Sequence, residues 1–210
     1  MHRRARILTL ALACASCAPA LQPLPPMAPL PEPPAESPLA GSDRPVPKFG
    51  SDAAFDVLRM RGLMVPVAGV RPAALSDSYD APRDGGRRHE AIDILAPRGT
   101  PVLAADDGVI VRIGSNALGG KVLWATDAGQ LFAYYYAHLD RYARGLHEGQ
   151  AVKRGAVLGY VGTTGNAPPD TPHLHFQMMR TLDAQRFSSG TPLNPLPYFQ
   201  APGLAAGAAP

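Results

Sequence analysis

Hydrophobic positions along this chain of 210 residues change their period near residue 90. Ahead of that point, in SDAAFDVLRMRGLMVPV, the residues Ala54, Phe55, Leu58 and Leu63 are spaced to share one helical face. Ser51 or Asp52 stands where a cap is needed, and Gly62 and Pro66 stand where a helix must stop. The pattern predicts a short helix over residues 52–62 that packs on the domain after it. From Ile92 onward the period falls to two. TPVLAADDGVIVRIG, KVLWATDAGQLFAYYYAHL and AVKRGAVLGYVG are rich in Val, Ile, Tyr and Leu and are punctuated by glycine. Asp107-Gly108 and Ala128-Gly129 read as turns between paired strands. No stretch between residues 92 and 180 has the pattern of a long amphipathic helix. The expectation is a mainly β domain of antiparallel strands with one short N-terminal helix. A faint echo, Gly99-x-x-Val102 and then Gly149-x-x-Val152, suggests a duplicated β unit.

The ends of the chain follow other rules. MHRRARILTLALACASCAPA has a basic start, a short apolar run and small residues, the order of an export signal. The run from Ile7 to Ala13 is too short for a membrane-spanning helix. Ala18-Pro19-Ala20 suits an ordinary signal peptidase, whereas Ala15-Ser16-Cys17 resembles a lipoprotein cleavage site that would leave Cys17 lipidated. From Pro19 to Pro47, eleven of 29 residues are proline, which favours an extended polyproline spacer. At the usual rise, such a spacer reaches about 90 Å. The expected organisation is a leader over 1–20, a proline-rich linker over 21–48, the helix and its lead-in over 49–75, a folded domain over 76–199 and a tail over 200–210.

Composition narrows the function. Both cysteines, Cys14 and Cys17, lie in the leader, so no internal disulfide staples the exported protein and its stability must come from a core. Arg3, Arg4 and Arg6 account for the net charge of +3, which leaves 17 basic against 17 acidic residues. A chain so balanced has no electrostatic footprint for nucleic acid.

The histidines carry the chemistry. His2 belongs to the leader, and His147, in GLHEGQ, sits in a polar turn and reads as solvated. In TPHLHFQ, His173 and His175 project from one face of a strand, about 7 Å apart at Cα, while Leu174 and Phe176 point into a core. His138 lies in YYYAHLD. His89 and Asp93 stand four residues apart in RRHEAIDILAPRGTP, one residue short of the helical zinc motif H-E-x-x-H. The context opposes a helix, because IDIL is β-branched, Pro97 follows and the glycine turn DGGRR precedes. On an extended or bent chain His89 and Asp93 still share a face, and Glu90 reads as a solvated bystander. A catalytic zinc site needs three protein ligands and one open position. His89, Asp93 and one of His173 or His175 supply three, leaving the other and His138 for acid–base work or charge stabilisation.

These residues resemble the lysostaphin/LytM-like zinc metallopeptidases, which cut peptide bonds of bacterial peptidoglycan. The resemblance rests on His89/Asp93, on Tyr136-Ala137-His138-Leu139, on His173-Leu174-His175 and on the glycine-rich GYVGTTGN, and it covers roughly Ser76 to Phe199. It implies a duplicated-hybrid-motif fold, an antiparallel β-sheet groove walled by loops. It implies one Zn²⁺ held by His89, Asp93 and His175, and a water activated by that zinc attacking the scissile carbonyl. His138 and His173 would help to deprotonate that water and stabilise the oxyanion. The chain departs from the family at Ala91, where glycine is common. A positive φ there would strain alanine by roughly 1 kcal/mol.

The expectation is a monomeric zinc endopeptidase of peptidoglycan, exported to the cell envelope or periplasm and anchored to a membrane if Cys17 is lipidated. The alternative is a catalytically silent LytM-like module that regulates a cell-wall amidase or divisome partner. A lipoyl- or biotinyl-carrier domain, suggested by GTPVLAADDGVI, lacks a lysine at the required hairpin tip, since Lys121 and Lys153 are not so placed.

Overall fold

The computed structural model describes residues 51–181 and 184–199. The expected leader, the proline-rich linker and the tail lie outside the described residues.

The predicted helix forms as α1 (Ser51–Arg61) and ends at Gly62, whose φ of 60° lets its N–H reach Leu58 O at 2.8 Å. Ala54 and Leu58 are buried in the core and Phe55 meets Phe132 edge-on at 5.9 Å. Its last residue is an electrostatic rivet. Arg61 Nη2 lies 2.7 Å from Asp106 Oδ2 and 3.1 Å from Asp127 Oδ2, and the Tyr134 hydroxyl donates to Asp106 at 2.8 Å. Burial pushes the Asp106 carboxyl up, against the pull of Arg61.

The rest is β structure with short 3₁₀ turns. A two-stranded hairpin, β1 (Pro82–Arg83) and β2 (Arg87–Arg88), turns through Gly85 and Gly86, both at positive φ. Nine further strands form one sheet: β3 (Ile92–Leu95), β4 (Pro101–Leu103), β5 (Gly108–Asn116), β6 (Gly120–Asp127), β7 (Phe132–Tyr142), β8 (Ala151–Val152), β9 (Val157–Val161), β10 (His173–Arg180) and β11 (Thr191–Leu193). All recorded strand pairings are antiparallel, and the backbone of the sheet runs β11-β10-β7-β6-β5-β8. Strand β3 pairs with the first half of β10, and β9 joins the end of β7 to β4.

Alternation sorts the two faces. Ile92 and Ile94 of β3, Tyr134 and Tyr136 of β7, and Leu174, Phe176 and Met178 of β10 are essentially fully buried. Each such apolar side chain contributes about 1.5–3 kcal/mol of transfer free energy. Their neighbours Asp93, Tyr135, Ala137, His173, His175 and Gln177 line the opposite, cleft face. Core and cleft are thus two sides of the same three strands. Helix α1 lies on the core side and contributes nothing to the cleft lining.

One expectation needs correction. Ala128-Gly129 does join the paired strands β6 and β7, but Asp107-Gly108 joins strands that do not pair with each other. β4 leaves to pair with β9, while β5 pairs with β6 and β8. The reason is the internal echo, which is structural. Gly99 N–H donates to Val161 O at 2.8 Å and Val161 N–H to Thr100 O at 2.9 Å; Gly149 N–H donates to Ile110 O at 2.7 Å and Ile110 N–H to Gln150 O at 2.9 Å. Each copy of the motif pairs its short strand with the longer strand of the other copy. Ala91, where the chain departs from the family pattern, meets no such strain. It is fully buried without a positive φ, and the left-handed residue is its neighbour Glu90, at φ 54°.

Candidate metal centre

Strand geometry brings the histidines together. In the β3–β10 ladder Asp93 is directly opposite His175. His89 precedes β3 and follows the β1–β2 hairpin, where its N–H continues the hairpin ladder by donating to Ala81 O at 2.9 Å. The bend at Glu90 then folds the imidazole back over the strand. His89 Nε2, Asp93 Oδ1 and His175 Nδ1 converge, with separations of 2.9 Å from His89 to Asp93, 3.1 Å from His175 to Asp93 and 3.0 Å between the imidazoles. Glu90 lines the cleft but supplies no atom to this cluster.

His138 reaches the site through a break in the strand. Alternation along β7 would send it into the core, because Ala137 already faces the cleft. A φ of 60° and a register shift against β6 turn it outward, and Leu139 returns to the core. His138 and His173 meet edge-on with centroids 4.9 Å apart, and His173 Nε2 lies 3.8 Å from Asp93 Oδ1.

Backbone carbonyls orient three of the four imidazoles. Nδ1 faces Ser78 O in His89, Thr164 O in His138 and Thr171 O in His173, each at 2.8 Å. A carbonyl only accepts, so these contacts assign the proton to Nδ1 and leave Nε2 as a lone pair toward the cleft. The segment GTTGN supplies one of these carbonyls by close approach. A Cβ on Gly165, at φ 77°, would lie 2.3 Å from Gly120 N and from Leu118 O. Only glycine lets the loop settle there, where Asn166 N–H donates to Leu118 O at 3.0 Å.

The protonation states suit a cation. Burial alone would push the Asp93 carboxyl up, but the His175 and His89 imidazoles beside it outweigh burial and hold the group well below the usual carboxylate range. Burial pushes the His175 imidazole down, keeping it neutral. Burial likewise lowers His138, to about 4. Two imidazoles and one carboxylate, converging on the floor of an open cleft of about 1010 Å³, form a donor set of the zinc type. Both sides of the cleft are loops, one carrying Asn116 to Gly119 and the other Asn166 to Thr171. His147 stands apart and exposed, as its polar turn suggests.

Several participants have no signature in the sequence. Ser78 accepts from His89 and its Oγ accepts from Asp93 N–H at 3.1 Å. Thr164 and Thr171 act through their carbonyls, which any residue carries. Arg83 pairs with Asp93 Oδ2 at 2.5 Å, although nothing in PRDGGRR marks one arginine above the others.

The model of peptidase family M23 matches residues 87–195, a span that holds every one of the converging side chains. The chain belongs to peptidase family M23. The L-Ala–D-Glu endopeptidase of Bacillus subtilis is 38% identical to this M23 chain over 128 residues, 58% of the chain and 38% of the relative. Lysostaphin of Staphylococcus simulans is 34% identical over 119 residues, 56% of the chain and 22% of the relative. The M23 chain therefore spans well under half the length of these curated relatives. Among solved structures, Helicobacter pylori Csd3 superposes with a TM-score of 0.51 at 30% identity, covering 66% of this chain and 35% of that one. The expected lysostaphin-like β fold and the family resemblance both stand.

Proposed function

We propose that this M23 chain is a zinc-dependent endopeptidase that hydrolyses peptide bonds of bacterial peptidoglycan, in cross-links or stem peptides. The observation that carries the reading is the convergence of His89, Asp93 and His175 at the base of an open cleft, with two further histidines whose Nε2 atoms face the same space. Zinc held by that triad supplies Lewis acidity toward an amide carbonyl and a water activated near neutral pH.

The chain's own groups do the rest. His89, Asp93 and His175 hold the ion, and their hydrogen bonds keep the donors aimed. Either His138 or His173 accepts, at Nε2, the one proton released as water adds to the carbonyl carbon. As an imidazolium that group stabilises the developing oxyanion, and the same proton passes to the leaving amine as the C–N bond breaks. The loop walls bind the peptide strand. With all five side chains present, the catalytically silent alternative is not favoured. The N-terminal sequence supports export to the envelope, with the proline-rich stretch as spacer and Cys17 as the candidate lipid anchor.

Digestion of purified sacculi tests the reading, with mass spectrometry of the released muropeptides. Peptide-bond cleavage that stops on chelation and returns with zinc is the expected result. A zinc-loaded protein that leaves every muropeptide intact would overturn it.

A further inference from the structure

The two oxygens of Asp93 have different partners. Oδ1 faces His89 and His175 at 2.9 and 3.1 Å, while Oδ2 is bound by Arg83 Nη2 at 2.5 Å. Asp93 is partly buried, its side chain 23% exposed, so this pair is better shielded from water than a second arginine–carboxylate pair of the hairpin, Arg88 with Asp80, whose side chains are 69% and 70% exposed. A charge-assisted hydrogen bond to a carboxylate oxygen is among the stronger polar contacts a protein makes.

Arg83 is also fixed with respect to the site. It lies on β1, opposite Arg87 of β2, and β2 runs directly into His89. The ladder of Pro82↔Arg88 and Arg83↔Arg87 is extended by His89 N–H to Ala81 O. The guanidinium that holds one oxygen of Asp93 and the imidazole that faces the other are thus carried by one small hairpin.

A carboxylate ligates a metal through one oxygen or through both. Through both it uses two coordination positions, and a catalytic zinc site has only one to spare. We propose that Arg83 is a positioning residue that reserves Asp93 Oδ2, limits Asp93 to one-oxygen ligation, and so keeps a coordination position open for water and substrate. This role rests on the zinc-peptidase reading. It assigns the PRDGGRR hairpin a task within the metal centre, acting through Asp93 and not on the substrate.

Cobalt(II) substitution reads coordination number directly, because four-coordinate cobalt absorbs visible light far more strongly than five- or six-coordinate cobalt. The full chain is loaded with cobalt as wild type, Arg83→Met, Arg83→Lys and Arg88→Met, with thermal melts to confirm folding. Methionine keeps the apolar stem of Arg83 without its charge. Expected are an intense visible band in wild type and in Arg88→Met, loss of most of that intensity in Arg83→Met, and its retention in Arg83→Lys, whose ammonium still holds Oδ2. A folded Arg83→Met with the wild-type spectrum would overturn this role while leaving the proposed function intact. A wild-type chain that takes up neither cobalt nor zinc would overturn both.

Discussion

Asp93 and His175 face each other across the β3–β10 ladder, 82 residues apart in sequence and 3.1 Å apart at their donor atoms. Register makes this pair, so a slip of β3 by one residue would send Asp93 into the core and bring Ile92 or Ile94 to the cleft. The apolar alternation of the two strands therefore builds the candidate metal centre as well as the core.

Replacing Phe176 tests that coupling. It is fully buried between Tyr134, Tyr136 and Phe199 on the core side of the strand that carries His173 and His175. Phe176→Ala is expected to cost roughly 3–5 kcal/mol of stability. Urea denaturation measures it, and zinc affinity should fall in the same variant although no ligand is changed.

His138 should separate metal binding from catalysis. His138→Ala leaves the three converging donors in place, so zinc content stays at the wild-type level while sacculus hydrolysis drops by about 10²–10⁴. Loss of zinc in this variant would place His138 among the ligands instead.

The helix rivet predicts a stability effect without a metal effect. Arg61→Ala leaves Asp106 and Asp127 buried without their cation, and breaking such a network by one partner costs on the order of 3–5 kcal/mol. Chemical denaturation should show that loss, with bound zinc unchanged, since α1 does not reach the cleft.

Acid should act partly through Asp140. Hydrogen bonds from Arg98, with a further one from Arg141, hold its carboxyl below the ordinary value. A depressed folded-state value means stability that is present above the unfolded pKa of about 3.9 and is lost as pH falls through the folded one. Melting temperature should therefore fall between pH 5 and the strongly acid range, and Arg98→Ala should fall less steeply there than wild type.

Much of this architecture is legible from residue order, and the exceptions share a cause. The helix, the two-faced strands and the H-x-H pair follow from periodicity, because side-chain spacing reports which face is wet. Alternation cannot place His138, since its outward turn depends on a backbone dihedral of 60° and a bulge against β6. The connection at Asp107-Gly108 misleads for a related reason. A glycine turn signals reversal, but the cross-pairing of the two echoed motifs, β4 with β9 and β8 with β5, is decided by the whole sheet. Left-handed backbone falls on Glu90 and not on Ala91, a distinction set by how His89 must bend back toward Asp93.

In the proposed function His89, Asp93 and His175 hold one zinc ion. Elemental analysis of the purified full chain, with Asp93→Ala and His175→Ala beside it and circular dichroism to confirm their folding, tests it most directly. About one zinc per wild-type chain and a near-complete loss in both variants are expected. A folded Asp93→Ala or His175→Ala protein that keeps the wild-type zinc content would contradict it.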